Sequence, residues 1–199
     1  MTLENLFDSL GGDDADAMTR LHRRLERDAE RADLLDVGYR TLDTPLGSLL
    51  LAATPVGLVR VAFASEDHDA VLEMLAREVS PRILRTPTRL DGAAREIEQY
   101  LAGGRTRFDL PLDLRLTAGF RRRVIEHLRD IDYGRRESYG VVAAAIGHPR
   151  AVRAVGSACA RNPLPVVIPC HRVVRADGSI GQYVGGVAAK ETLLNLEAA

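Results

Sequence analysis

The chain has no tryptophan, a single lysine and two cysteines in 199 residues, and each scarcity excludes something. Two cysteines, Cys159 and Cys170, cannot frame a disulfide scaffold. Residues 1 to 110 contain no cysteine and only His22 and His68 as histidines, so no thiolate-rich zinc site can be built there and no metal is expected. No run of about 18 apolar residues and no charged-then-apolar leader occurs, which argues against a helical membrane span and points to a cytoplasmic protein. Lys190 stands alone against 26 arginines. That ratio is a compositional bias, and an isolated arginine therefore carries little weight as a signal.

What is present suits a folded chain, with 46% hydrophobic residues and length enough for one large domain or two small ones. Charge is divided unevenly: residues 1–110 hold 14 arginines against 20 acidic groups, whereas residues 111–199 hold 13 basic against 8 acidic groups. A basic second half suits a surface that faces nucleic acid, although an excess of this size also fits an ordinary solvated surface.

Residues 1–15, with Gly11-Gly12 and Asp13-Asp14, read as a mobile lead. Ala17 to Leu35 places Met18, Leu21, Leu25, Ala29 and Ala32 at helical spacing, an amphipathic helix suited to packing on the domain or to holding a partner. The period then changes to that of strands over Tyr39–Leu42, Gly47–Ala53 and Gly57–Phe63, which predicts an antiparallel sheet. Helices are expected over His68–Val79, Asp91–Leu101 and Ala118–Asp130, the last with Arg121, Arg122 and Arg123 as candidate phosphate contacts. Phe108–Leu116 serves as a crossing between the two halves. Gly140–Ile146, the turn Gly147-His148-Pro149 and Arg150–Arg161 outline a helix-turn-helix. Its second helix offers Arg153, Ala154, Gly156, Ser157 and Ala160, too small a set to read base edges by bidentate hydrogen bonds. Small residues favour close, shape-based approach to a groove.

The apolar run Pro165–Ile168 reads as a short, fully buried strand, ended by Pro169 so that Cys170 sits at a turn. Only a thiolate is a good nucleophile, and His171 or Arg172 beside Cys170 would lower the thiol pKa. Asn162-Pro163, Pro169-Cys170-His171-Arg172, Gly181-Gln182-Tyr183-Val184-Gly185-Gly186 and Lys190-Glu191-Thr192-Leu193-Leu194 follow one another in order. This ordered set resembles the O6-alkylguanine-DNA alkyltransferases, also called methylated-DNA-protein-cysteine methyltransferases. The resemblance runs over residues 120–197, thins to a loose pattern before residue 110, and does not include residues 1–33.

The resemblance implies an α/β fold in which an N-terminal antiparallel sheet with helices precedes a mainly helical domain bearing the helix-turn-helix and the Cys-bearing turn. The expected divisions are an acidic helical extension over 1–36, the sheet-plus-helix domain over 37–110, and the DNA-binding, alkyl-accepting domain over 111–199. It implies irreversible, single-turnover transfer of an alkyl group from O6-alkylguanine in double-stranded DNA to Cys170, with the nucleotide flipped out of the stack. No cofactor, no membrane and a monomeric state are expected. By position in the motifs, His171 is the base acting through a bridging water, Glu197 orients it, and Asn162 ties the helix to the Cys-bearing turn. Tyr139 would pack against the flipped nucleotide, the carbonyls of Cys170 and Val173 would read the exocyclic amine of guanine, and Tyr183 would donate to O6. Arg153 would fill the vacated stack, with Ala154 and Gly156 beside it on the DNA-facing helix. Arg136 and Val184 depart from the family's usual residues. A Cys/His hydrolase and a helix-turn-helix regulator without chemistry remain the alternatives; catalytic turnover would mark the first, and sequence-selective binding independent of the thiol the second.

Overall fold

Period-two alternation builds the sheet: β1 (Val37–Thr44), β2 (Gly47–Ala53) and β3 (Leu58–Phe63) pair antiparallel as expected, in a structure that is a computed structural model describing residues 3–198, with side chains from residue 16 onward. A fourth strand, β4 (Ile83–Arg85), lies parallel beside β1 and gives the order β3-β2-β1-β4. Three residues are too few to show a period, so β4 has no sequence signature.

The alternation also sorts the two faces of the sheet. Leu50 and Ala52 point to the side where α2 (His68–Glu78) lays Val71 and Leu75, and Asp67 caps that helix by accepting from the amides of Asp69 and Ala70. Leu49 and Leu51 point the other way, toward Ala94, Ile97 and Tyr100 of α3 (Asp91–Leu101). This second core does not stop at α3. It continues through Val124, Ile125 and Leu128 of α4 (Gly119–Leu128), Val142 and Ala143 of α5 (Tyr139–Ala145), Val155 of α6 (Val152–Ala160) and Leu193 of α7 (Gly186–Leu196). The sheet half and the helical half thus share one apolar interior.

The amino-terminal helix α1 spans Leu3–Arg31, so helix replaces the expected mobile lead from Leu3 onward, while residues 1 and 2 lie outside the described residues. Leu3, Leu6, Phe7 and Leu10 have helical spacing and extend the pattern through the glycine pair. The helix docks by its polar side: His22 Nε2 lies 2.7 Å from the Arg85 carbonyl and 3.0 Å from Glu26, which is buried. Met18, Leu21 and Leu25 remain exposed.

Pro165–Ile168 is buried as expected but is not a strand. The amide of Ile168 donates to the Leu164 carbonyl at 2.8 Å, and the Leu164 amide to Asn162 Oδ1 at 3.0 Å, so local turns satisfy the groups a sheet neighbour would otherwise take. The turn passes through Val166 at φ 72°, a left-handed conformation costing a β-branched residue about 1–3 kcal/mol. Burial of the Val166 side chain holds it there.

Candidate active site

The turn ends in a single 3-10 turn, Cys170–Arg172, so Cys170 sits at a turn immediately after Pro169 as expected. Immediately after it, β6 (Val173–Val174) pairs parallel with β5 (Glu137–Ser138). That two-residue ladder fixes the Cys-bearing turn beside the start of α5, where Ser138 caps the helix and Tyr139 is its first residue. Tyr139 packs so closely on the glycine-rich loop that a Cβ on Gly181 would sit 2.7 Å from its hydroxyl. Gly185 likewise makes room for the Phe63 ring, where a Cβ would meet carbon at 2.5 Å.

Cys170 is 2% exposed, and its Sγ accepts a hydrogen bond from Asn162 Nδ2 at 3.1 Å. The same Nδ2 donates to the Ile168 carbonyl at 2.9 Å, so Asn162 joins the end of α6 to both ends of the turn. Burial pushes the Cys170 thiol up to about 11, with the Asn162 hydrogen bond and the Lys190 charge only partly offsetting it. The expected lowering by His171 and Arg172 is therefore not found. Arg172 is turned away from the thiol: its Nε and Nη2 grip Glu197 at 2.8–3.0 Å and its Nη1 donates to the Ile131 carbonyl. The cation that acts on Cys170 is Lys190, fully buried, with Nζ 2.6 Å from the Val173 carbonyl. Burial lowers the Lys190 pKa.

His171 is fully buried, with Nε2 2.9 Å from Glu197 Oε1. A carboxylate partner assigns the proton to Nε2 and leaves Nδ1, which has no hydrogen-bond partner, as the basic nitrogen. Burial lowers the His171 pKa, and Glu197 works against that shift. Burial alone would raise the Glu197 carboxyl, but hydrogen bonds from His171 and Arg172 outweigh it and hold the group well below the usual carboxylate range. Two further donors converge on Glu197: the Gly134 amide on Oε2 at 3.1 Å and the Tyr100 hydroxyl on Oε1. Sequence reasoning missed Tyr100. It lies on the apolar face of an ordinary amphipathic helix, and only its hydroxyl distinguishes it there.

The remaining predicted residues are dispersed around this centre. Val173 is buried, its carbonyl already engaged by Lys190, and the Cys170 carbonyl accepts the Val173 amide. Tyr183 stands edge-on to Phe63 and His171, with ring centroids at 5.7 and 6.3 Å, and its buried hydroxyl has no hydrogen-bond partner. Arg153 and Ala154 are exposed on α6, with Gly156 half-buried next to them against Tyr139. The arginine triplet has local partners: Arg121 donates to the Leu116 carbonyl, Arg122 pairs with Glu126, and Arg123 lies 3.0 Å from His148. Arg136 is exposed, and Val184 packs half-buried against the core.

Two family models match the chain: the 6-O-methylguanine DNA methyltransferase ribonuclease-like domain over residues 37–114 and its DNA binding domain over residues 119–199. The chain belongs to the 6-O-methylguanine DNA methyltransferase family. A methylated-DNA-protein-cysteine methyltransferase of Mycolicibacterium paratuberculosis is 40% identical over 161 residues, covering 81% of this chain and 92% of the relative. The crystal structure of Mycobacterium tuberculosis O6-methylguanine methyltransferase superposes with a TM-score of 0.72 at 38% identity, covering 81% of this chain and 93% of that one. The M. tuberculosis protein in complex with DNA gives 0.69 at the same identity, over 81% and 92% of the two chains. Like these methyltransferases, the chain is mixed α/β, and no helix among its described residues is long and apolar enough to cross a membrane.

Proposed function

We propose that this methyltransferase repairs DNA by moving the alkyl group of O6-alkylguanine to Sγ of Cys170, once per molecule and irreversibly, in the cytoplasm and as a monomer. The observation that carries the reading is a buried thiol held by Asn162 next to a buried His171–Glu197 pair whose Nδ1 faces no protein acceptor or donor. Deprotonation comes first. His171 Nδ1 takes the thiol proton through a bridging water, and Glu197 with Arg172 holds the imidazole in the required tautomer. Sγ then attacks the alkyl carbon, the carbon–O6 bond breaks, and the electron pair leaves on guanine, which takes up a proton. The product is a thioether at Cys170, and no group in the site hydrolyses it.

The substrate atom lies inside the duplex, so the nucleotide must leave the stack. Exposed Arg153 on α6 fills the gap, Ala154 and Gly156 let the helix approach closely, and Tyr139 lies against the extruded nucleotide. The free lone pairs of the Cys170 and Val173 carbonyls accept from the exocyclic amine of guanine, and the unpartnered hydroxyl of Tyr183 donates toward O6. The test is intact-protein mass after incubation with duplex containing O6-methylguanine. One added methyl group per chain, mapped to Cys170 and ceasing at one equivalent, is the expected result. Continuing turnover, or a methyl group on Cys159, overturns the reading.

A further inference from the structure

His171 and Glu197 both come from the helical half of the chain, yet one of the donors on Glu197 does not. Tyr100 projects from α3, 71 residues before His171, and is fully buried. Its ring packs against Phe108 at 5.0 Å and edge-on to Tyr133 at 6.1 Å, which leaves the hydroxyl pointing into the relay. There it donates to Glu197 Oε1, the same oxygen that faces His171 Nε2, and lies 3.2 Å from that nitrogen.

A buried phenol requires a partner for its hydroxyl, and this need alone would account for one hydrogen bond. The choice of acceptor goes further. A neutral donor on a carboxylate withdraws part of the negative field that the carboxylate exerts on its other partner. We propose that Tyr100 is a positioning residue of the relay: its hydroxyl fixes Glu197 Oε1 against His171 and sets how strongly the carboxylate draws a proton onto the imidazole. The sheet-bearing half thereby tunes the base used by the helical half. This inference rests on the alkyl-transfer reading of the site.

The other ionisable groups facing the relay are Arg172 beside Glu197, Lys190 from α7, Tyr133, Tyr183 and Cys170. Tyr100 itself stays protonated, because burial and then the Glu197 charge raise its pKa. Removing its hydroxyl therefore changes no net charge. It leaves Glu197 a stronger partner for protonated His171, so the base remains protonated to higher pH.

The experiment measures the single-turnover rate of methyl transfer from O6-methylguanine duplex as a function of pH. For Tyr100→Phe, which keeps the packing ring, the midpoint of the acid limb should rise by about half a unit, while the rate at pH 7 should fall by less than about 2-fold because the midpoint starts below 6.5. Tyr133→Phe, whose hydroxyl donates to the Leu196 carbonyl at 3.1 Å, should leave the midpoint in place. A fluorotyrosine inserted at position 100 keeps the fold and strengthens the donor, and the midpoint should move down. An unmoved midpoint in either position-100 variant, or a shift of the wrong sign, overturns the proposal even if the rate falls. Absence of any transfer by the unmodified chain would instead overturn the alkyl-transfer reading, and this inference with it.

Discussion

A buried thiol whose pKa is pushed up to about 11 stays protonated at pH 7. Cys170 is therefore protected from casual chemistry, and in the proposed mechanism it depends on His171 to take its proton. Cys170→Ser should abolish methyl transfer while leaving duplex affinity within about a few-fold, since the hydroxyl is a far weaker nucleophile of similar size. Cys159→Ser should retain transfer, and peptide mapping of the methylated product checks both variants. Glu197→Gln should slow transfer by about 10-fold or more and move the acid limb to lower pH, because a neutral amide no longer supports the imidazolium. That shift is opposite in sign to the one expected of Tyr100→Phe. One pH series on the two variants would therefore separate the carboxylate's contribution from the phenol's.

At the level of elements, α6 does two things with two faces. Its end carries Asn162 into the Cys-bearing turn, while its exposed side presents Arg153. Arg153→Ala should lose most of its rate on alkylated duplex yet react nearly normally with free O6-benzylguanine, because unstacking costs a few kcal/mol in duplex and nothing for a free base. Equal losses on both substrates, read from single-turnover rates, would make Arg153 a pocket residue. The elements also show where the sequence was legible. Periodicity located β1 to β3 and α2 to α4, a glycine-containing turn between two short helices outlined α5 and α6, and the ordered motifs brought Cys170, His171, Asn162 and Glu197 together on paper. Three features had no local signal. The buried run before Cys170 could equally be strand or turn until Asn162 was seen to supply its hydrogen bonds. The stripe of α1 predicts a buried face, but docking through His22 and Glu26 turns Met18, Leu21 and Leu25 outward. Tyr100 reaches Glu197 across 97 positions, a contact set by how α3 packs and not by any spacing.

For the whole molecule, the relay ties stability to acid. Unfolded His171 titrates near 6.5 and the buried ring lower, so below 6.5 the unfolded chain binds more protons and stability falls with pH. Glu197 adds a second loss beginning near its ordinary value of 4.5, because the folded carboxyl resists protonation to well below that pH. Urea midpoints should therefore begin to fall as the pH drops through about 6.5 and fall more steeply below about 4.5. In Glu197→Gln the steeper part should flatten. The same variant should be less stable at pH 7 by about 3–5 kcal/mol, because Arg172 is left buried without its counter-charge.

Lys190 gives the molecule one more property. It is the sole lysine of the chain and has no exposed surface, its ammonium capped by the Val173 carbonyl. Apart from the amino terminus, the folded protein therefore offers acylating reagents no amine. Modification of Lys190 must wait for α7 to lift from the Cys-bearing turn, so the pace at which an activated ester labels this side chain is a stopwatch for the opening of the active site.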